Sequence, residues 1–160
     1  MEHIDQEIAE ELGFGLVPNV FAYAQSSELK AALWKAFRHV VLRGLLPRTV
    51  KEMMGVLVSR ARGSSYAAEV HLHALMVQGT ETALLEALRR GEVPSGLPGK
   101  VQALLAFAHK AATAPDPGLL AGLRQAGLSE AEVQEAVAVV GLFALVNTWT
   151  DLLEIPVDPL

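Results

Sequence analysis

No cysteine occurs anywhere in the 160 residues. Disulfide exchange and thiolate catalysis by this chain are thereby excluded, and the redox state of its compartment leaves no mark on the composition. Charge is sparse as well: 19% of residues are charged against 51% hydrophobic, with a formal net charge of −5. The 13 Lys and Arg are scattered. There is no basic run and no aromatic ladder, which argues against nucleic acid as a partner. No charged-then-apolar leader opens the sequence. The longest apolar run, Ala136 to Val146, falls short of the ~20 residues that a bilayer-crossing helix needs. The expectation is a cytoplasmic protein without membrane contact. So little polar surface on a small domain also predicts self-association, which would cover the apolar excess. Alternating strand patterns, low-complexity tracts and internal repeats are missing too, so the chain reads as one all-α domain over residues 1–160.

What is present is helical punctuation. Residues 3–12 form an amphipathic stretch stopped by Gly13 and Gly15, and Asn19 is placed to cap a short helix through Tyr23. Ser26 or Ser27 opens a helix whose apolar face runs through Leu29, Leu33, Phe37, Val40 and Val41 to a stop at Gly44. After Pro47, residues Val50, Met53, Met54, Leu57, Val58 and Ala61 recur at helical spacing, and Gly63 ends that pattern. Ser64 or Ser65 begins the next helix, which runs to about Gln78. Further helices are expected over 81–90, 100–113 and 118–126. The Ser129-Glu-Ala-Glu132 capping box opens a last one to about Leu153. The total is about eight helices. Ala136 to Val146 is apolar all round, which predicts burial on every side, either as a central helix or as the spine of an oligomer interface. Asn147 interrupts it and is expected to bond to a neighbouring helix.

Chemistry gathers on the hairpin from Lys51 to Ala74. Glu52 lies opposite the apolar stripe of its own helix, a position that taken alone means a solvated carboxylate. Gly55 and Ser59 share its face, and such small residues permit close packing by another helix or subunit. The antiparallel return of the chain brings His71 to within roughly 6 Å of its axial level, so the two side chains could pair across the gap. Between them, Ser64 and Ala67 sit at a helix N-terminus, where a cysteine would have a lowered pKa. Serine cannot replace that thiol, and Ser64 reads as an N-cap. It lies roughly 10 Å along the helix axis from His71 and lacks a nucleophile elbow, so a Ser–His hydrolase is rejected. His71 and His73, two residues apart, point to nearly opposite sides and cannot share a metal ion. His73 is expected to pair with Glu69 instead. No cofactor is implied.

Four segments carry a family resemblance. They are Gly15-Leu-Val-Pro-Asn-Val-Phe21, Ser27-Glu-Leu with Ala32-Leu-Trp34, Glu52 with Val58-Ser-Arg-Ala-Arg-Gly-Ser-Ser-Tyr66 and His71, and Ala126-Gly-Leu-Ser-Glu130 with Leu142-Phe143 and Val146-Asn147. In this order they resemble the peroxidase-related branch of the AhpD-like alkylhydroperoxidase superfamily, to which carboxymuconolactone decarboxylases also belong. The resemblance covers nearly the whole chain. It implies an all-helical fold that assembles into dimers, trimers or hexamers and takes a small-molecule ligand. It also implies a redox frame of Glu, eleven residues, Cys-x-x-Cys, three residues and His. Here Glu52 and His71 hold the two relay positions, and Ser64 and Ala67 stand where the cysteines belong. The frame is kept and the sulfur is missing. Two functions are then open. One is a peroxidase-like protein without thiol peroxidase activity; the other is a non-redox enzyme using Glu52 and His71 as acid and base on a small carbonyl or lactone.

Overall fold

Every residue from Val50 to Ser59 is buried, so the helix that contains them, Arg48–Ala61, is enclosed by the rest of the chain. The protein is described here by a computed structural model covering residues 2–160. In chain order the elements are α1 (His3–Leu12), α2 (Asn19–Ala22), α3 (Ser27–Phe37), a π-helical turn (Arg38–Leu42) and α4 (Arg48–Ala61). Then come α5 (Tyr66–Val77), α6 (Thr82–Arg89), α7 (Gly99–Ala111), a 3-10 turn (Pro117–Leu119), α8 (Leu120–Gln125) and α9 (Glu130–Leu152). The fold is all-α, and no strand occurs among the described residues.

Local signals set most boundaries. The Ser26 hydroxyl accepts the Leu29 amide at 3.2 Å and starts α3. At α9 the capping box closes both ways: Glu132 N–H donates to Ser129 Oγ at 3.2 Å, and Ser129 N–H donates to the Glu132 carboxylate at 2.9 Å. Gly63, at φ +67°, turns the chain from α4 into α5 in the left-handed conformation that glycine adopts without strain. At α2 the expected Asn19 cap is not formed. Asn19 is already helical, and Asp158, from the far end of the sequence, accepts its N–H at 2.8 Å.

Helices α5, α7 and α9 pack around α4. Most of the core is theirs, with Met54, Leu57, Leu75, Leu105 and Phe143 almost fully buried. A second cluster of Ile8, Phe21, Leu33 and Trp34 ties α1 to α2 and α3. Helix α9 approaches α4 closely at Gly55. A Cβ at Gly55 would lie 2.2 Å from the Phe143 ring, so the small residue on the Glu52 face admits a neighbouring helix. Asn147 joins the same seam, donating from Nδ2 to Ser59 Oγ at 2.9 Å.

One expectation fails here. The α4 stripe is not one-sided, because the polar face of that helix is covered as well. Within the single chain, α9 is not the central helix of the two alternatives: Val137 and Leu145 are 45% and 47% exposed on its outer face. By length and composition this 23-residue helix could cross a bilayer, although its apolar core run alone could not. Its inner face instead packs on α4 through Val139, Leu142, Phe143 and Asn147.

The close contact at residue 55 gives a direct test. Gly55→Ala is expected to lower stability by about 1–3 kcal/mol through overpacking against Phe143, despite the better helix propensity of alanine. Thermal or urea unfolding reads it, and Phe143→Leu in the same chain should recover part of the loss.

Candidate functional site

Enclosure of α4 brings its three interior polar side chains to three different partners. Ser59 meets Asn147, as above. Lys51 is fully buried and points away from the hairpin. Its ammonium donates to the carbonyls of Val40, at 2.9 Å, and Arg43, and it pairs with the Glu135 carboxylate. Glu135 in turn accepts the Leu45 and Leu46 amides at 2.8 and 3.1 Å. The π-helical turn, the loop after it and α9 are thereby fixed to α4.

Glu52 is the third. Its side chain is 1% exposed, so the solvated carboxylate expected from its place opposite the stripe is overturned. The cause is tertiary: α5 covers that face. The carboxylate has three partners. Arg48, one helical turn earlier, donates from Nε to Oε1 at 3.2 Å, and Gln78 donates from Nε2 to Oε2 at 2.7 Å. His71 Nδ1 lies 3.8 Å from Oε1, forming a buried Glu–His pair at ion-pair distance. This is closer than the helix offset alone suggests. At that distance no hydrogen bond forms, and Nδ1 is buried without a bonded partner. The imidazole ring sits edge-on to Phe143, 5.1 Å between centroids, and 6.0 Å from Phe37.

At the two positions where the resemblance implies cysteine, the chain holds no sulfur. Ala67 presents only a buried methyl. Ser64 is buried and does not cap α5; its hydroxyl donates to Asp151 Oδ1 of α9 at 2.9 Å. A thiolate at position 64 would face a carboxylate, which opposes its ionisation. Glu69 pairs with Arg60 at 2.6 Å and Arg89 at 3.8 Å, not with His73. No cluster of three or more metal-ligating side chains exists among the described residues. Two open clefts flank α9. One, of about 660 Å³, is lined by Arg62, Ala112, Gly141 and neighbours; the other, of about 600 Å³, by Leu29, Leu145, Trp149 and Leu152. Neither is lined by Glu52 or His71.

Sequence reasoning thus found the pair but missed Arg48, Gln78 and Asp151. The Arg48–Glu52 spacing of four residues on one helix was a usable signal. Nothing local marks Gln78 or Asp151, which arrive through tertiary packing.

Burial alone would raise the Glu52 carboxyl above its ordinary 4.5, but His71, the Gln78 amide and Arg48 outweigh it and hold it below that value. A carboxyl lowered in the folded state stabilises the fold above its unfolded pKa, and that contribution is lost as pH falls through the folded value. Wild-type stability should therefore drop as pH is lowered from about 4.5. Glu52→Gln should lack that component of the slope. Urea unfolding from pH 6 to pH 3 measures the difference between the two curves.

Comparison with known proteins places this geometry. Residues 28–110 match the sequence profile of the Carboxymuconolactone decarboxylase family. No curated protein matches the chain. Among solved structures, an uncharacterized peroxidase-related protein from Silicibacter sp. TM1040 is 24% identical with a TM-score of 0.85, over 96% of this chain and 82% of that one. An AhpD-core peroxidase-related protein from Ralstonia eutropha JMP134 is 23% identical with a TM-score of 0.84, over 97% of this chain and 85% of that one. The debrominase Bmp8, solved with 2,3,4-tribromopyrrole, is 17% identical with a TM-score of 0.80, over 98% and 84% of the two chains. At these identities the likeness is one of fold. The chain belongs to the carboxymuconolactone decarboxylase family and has the fold of the AhpD-core, peroxidase-related structures, with a buried Glu–His pair and no cysteine.

Proposed function

We propose that this is a non-redox member of the family, in which Glu52 and His71 form a proton-exchanging pair that no longer serves a thiol. The observation that carries it is the Ser64–Asp151 hydrogen bond. Beyond lacking sulfur, the site has a carboxylate where a thiolate would need a positive or neutral neighbour. Residues 1–160 act as one domain in this reading, in a cytoplasmic homo-oligomer without nucleic-acid or membrane partners. A small-molecule ligand takes the place of hydroperoxide. Needing no cofactor, the protein either binds that ligand or turns it over.

One observation favours turnover: the unpartnered Nδ1 of His71. Buried polar atoms without partners are rare, and catalytic hydrogen bonds in ligand-free sites are often long. On this second reading Glu52 and His71 work as base and acid on a small carbonyl or lactone. Access would have to open, since neither cleft beside α9 is lined by the pair.

The purified chain is expected to show no reduction of organic hydroperoxide with any dithiol donor, and measurable turnover in that assay would overturn the proposal. Ser64→Cys with Ala67→Cys should recover little activity. Adding Asp151→Asn to that pair should raise it about tenfold, by lowering the thiol pKa roughly one unit. Equal activity with and without Asp151 would mean that the carboxylate does not set the site against a thiolate.

Self-association is assigned to the outer face of α9, where Leu145, Leu152 and Leu153 are exposed beside Leu29 and line one apolar cleft. Light scattering after gel filtration should give more than one chain per particle at micromolar concentration. Leu152→Asp with Leu145→Asp should shift the particle toward monomer while leaving helix content unchanged.

A further inference from the structure

Glu52 is buried, yet two of its three partners come from the surface. The Arg48 side chain is 44% exposed, and Gln78 is an exposed residue just past the end of α5. Each holds a different carboxylate oxygen: Arg48 Nε takes Oε1 and Gln78 Nε2 takes Oε2. Gln78 is itself oriented, because its amide oxygen accepts the Thr49 hydroxyl at 3.3 Å. Oε1, the oxygen on the Arg48 side, is also the one nearest His71. The cluster is therefore a polar line from solvent, through a guanidinium and an amide, to a carboxylate and then to a buried imidazole.

A carboxylate on a freely rotating side chain would not hold one oxygen toward His71. Fixing both oxygens removes that freedom. Phe143 from α9 and Phe37 from α3 face the imidazole from the other packed elements, and neither titrates. Lys51, next in sequence to Glu52, points instead to Glu135 and the carbonyls of Val40 and Arg43. Arg48, Glu52 and His71 are thus the charged or titratable members of this cluster.

We propose that Arg48 and Gln78 are positioning residues. They clamp the Glu52 carboxylate from outside and aim Oε1 at His71 Nδ1, the oxygen with which the imidazole exchanges its proton. The exchange is a proton transfer between Nδ1 and Oε1, with no change in electron count. It rests on the reading of Glu52 and His71 as a proton-exchanging pair, and the test separates the two.

The test follows the His71 ring by NMR of uniformly labelled protein across pH in five chains. These are wild type, Glu52→Gln, Arg48→Met, Arg48→Lys and Gln78→Leu. Arg48 and Gln78 lie at the surface, so their variants are expected to fold, and the amide spectrum checks that they do. Glu52→Gln should lower the His71 midpoint by about one unit, a tenfold loss in proton affinity. Arg48→Met removes the cation held on Oε1, the oxygen nearest His71, and should raise the midpoint by about half a unit, roughly threefold. Arg48→Lys should restore the wild-type value by keeping the charge. Gln78→Leu removes no charge and should lower it, in the direction of Glu52→Gln, and broaden the ring signals, as the carboxylate gains freedom to turn from His71. If Glu52→Gln leaves the midpoint unchanged, the pair itself is not coupled and the underlying reading fails. If Glu52→Gln moves it and neither Arg48→Met nor Gln78→Leu does, the clamp is refuted while the pair stands.

Discussion

A helix closed in on every side cannot carry a polar side chain that it does not pair. An isolated buried charge costs several kcal/mol, and a buried ion pair left with one member is destabilised by roughly 3–5 kcal/mol. Helix α4 carries Lys51, Glu52 and Ser59 inside that enclosure. Each demands a partner from a different part of the chain, so each fixes a neighbour: Glu135 and the π-helical turn, His71 and Gln78 around α5, and Asn147 of α9. The polar groups on this helix set the register of its surroundings as much as the apolar ones fill them. Phe143 seated over Gly55 is the packing counterpart of the same constraint.

Much of this was legible beforehand where the cause is local. The capping box at Ser129, the stop at Gly63 and the apolar recurrences on α4 rest on neighbouring residues, and the helices came out close to where those signals put them. The pairing of Glu52 with His71 followed from the antiparallel hairpin and the family frame, and Asn147 from its place in an apolar run. What failed did so at a distance. Periodicity marked Glu52 as solvated because a helix-wheel argument sees one helix, not the one that covers it. The π-helical turn at Arg38–Leu42 escaped because Val40 and Val41 fit an ordinary helix equally well. Its carbonyl partner, Lys51, is summoned by tertiary structure. Asn19 looked like a cap, and the actual capping group comes from Asp158. Of the two places open to α9, the central one belongs to α4.

Glu52 and His71 are paired and buried, while Ser64 and Ala67 between them present a hydroxyl and a methyl. The hydroxyl is not idle: through Asp151 it pins the start of the hairpin's second helix to the end of α9. Position 64 is thus part of the packing between the two helices.

The strap at residues 156–158 has a consequence for the order of events during synthesis. Asp158 holds the Asn19 amide and the Tyr66 hydroxyl, the Asn19 side chain donates to the Pro156 carbonyl at 3.0 Å, and Trp149 donates to the Val20 carbonyl at 3.0 Å. The four-residue helix Asn19–Ala22 is too short to persist alone. Its fastening arrives 139 positions later. As the chain leaves the ribosome, this turn must therefore wait for residues made well over a hundred positions after it.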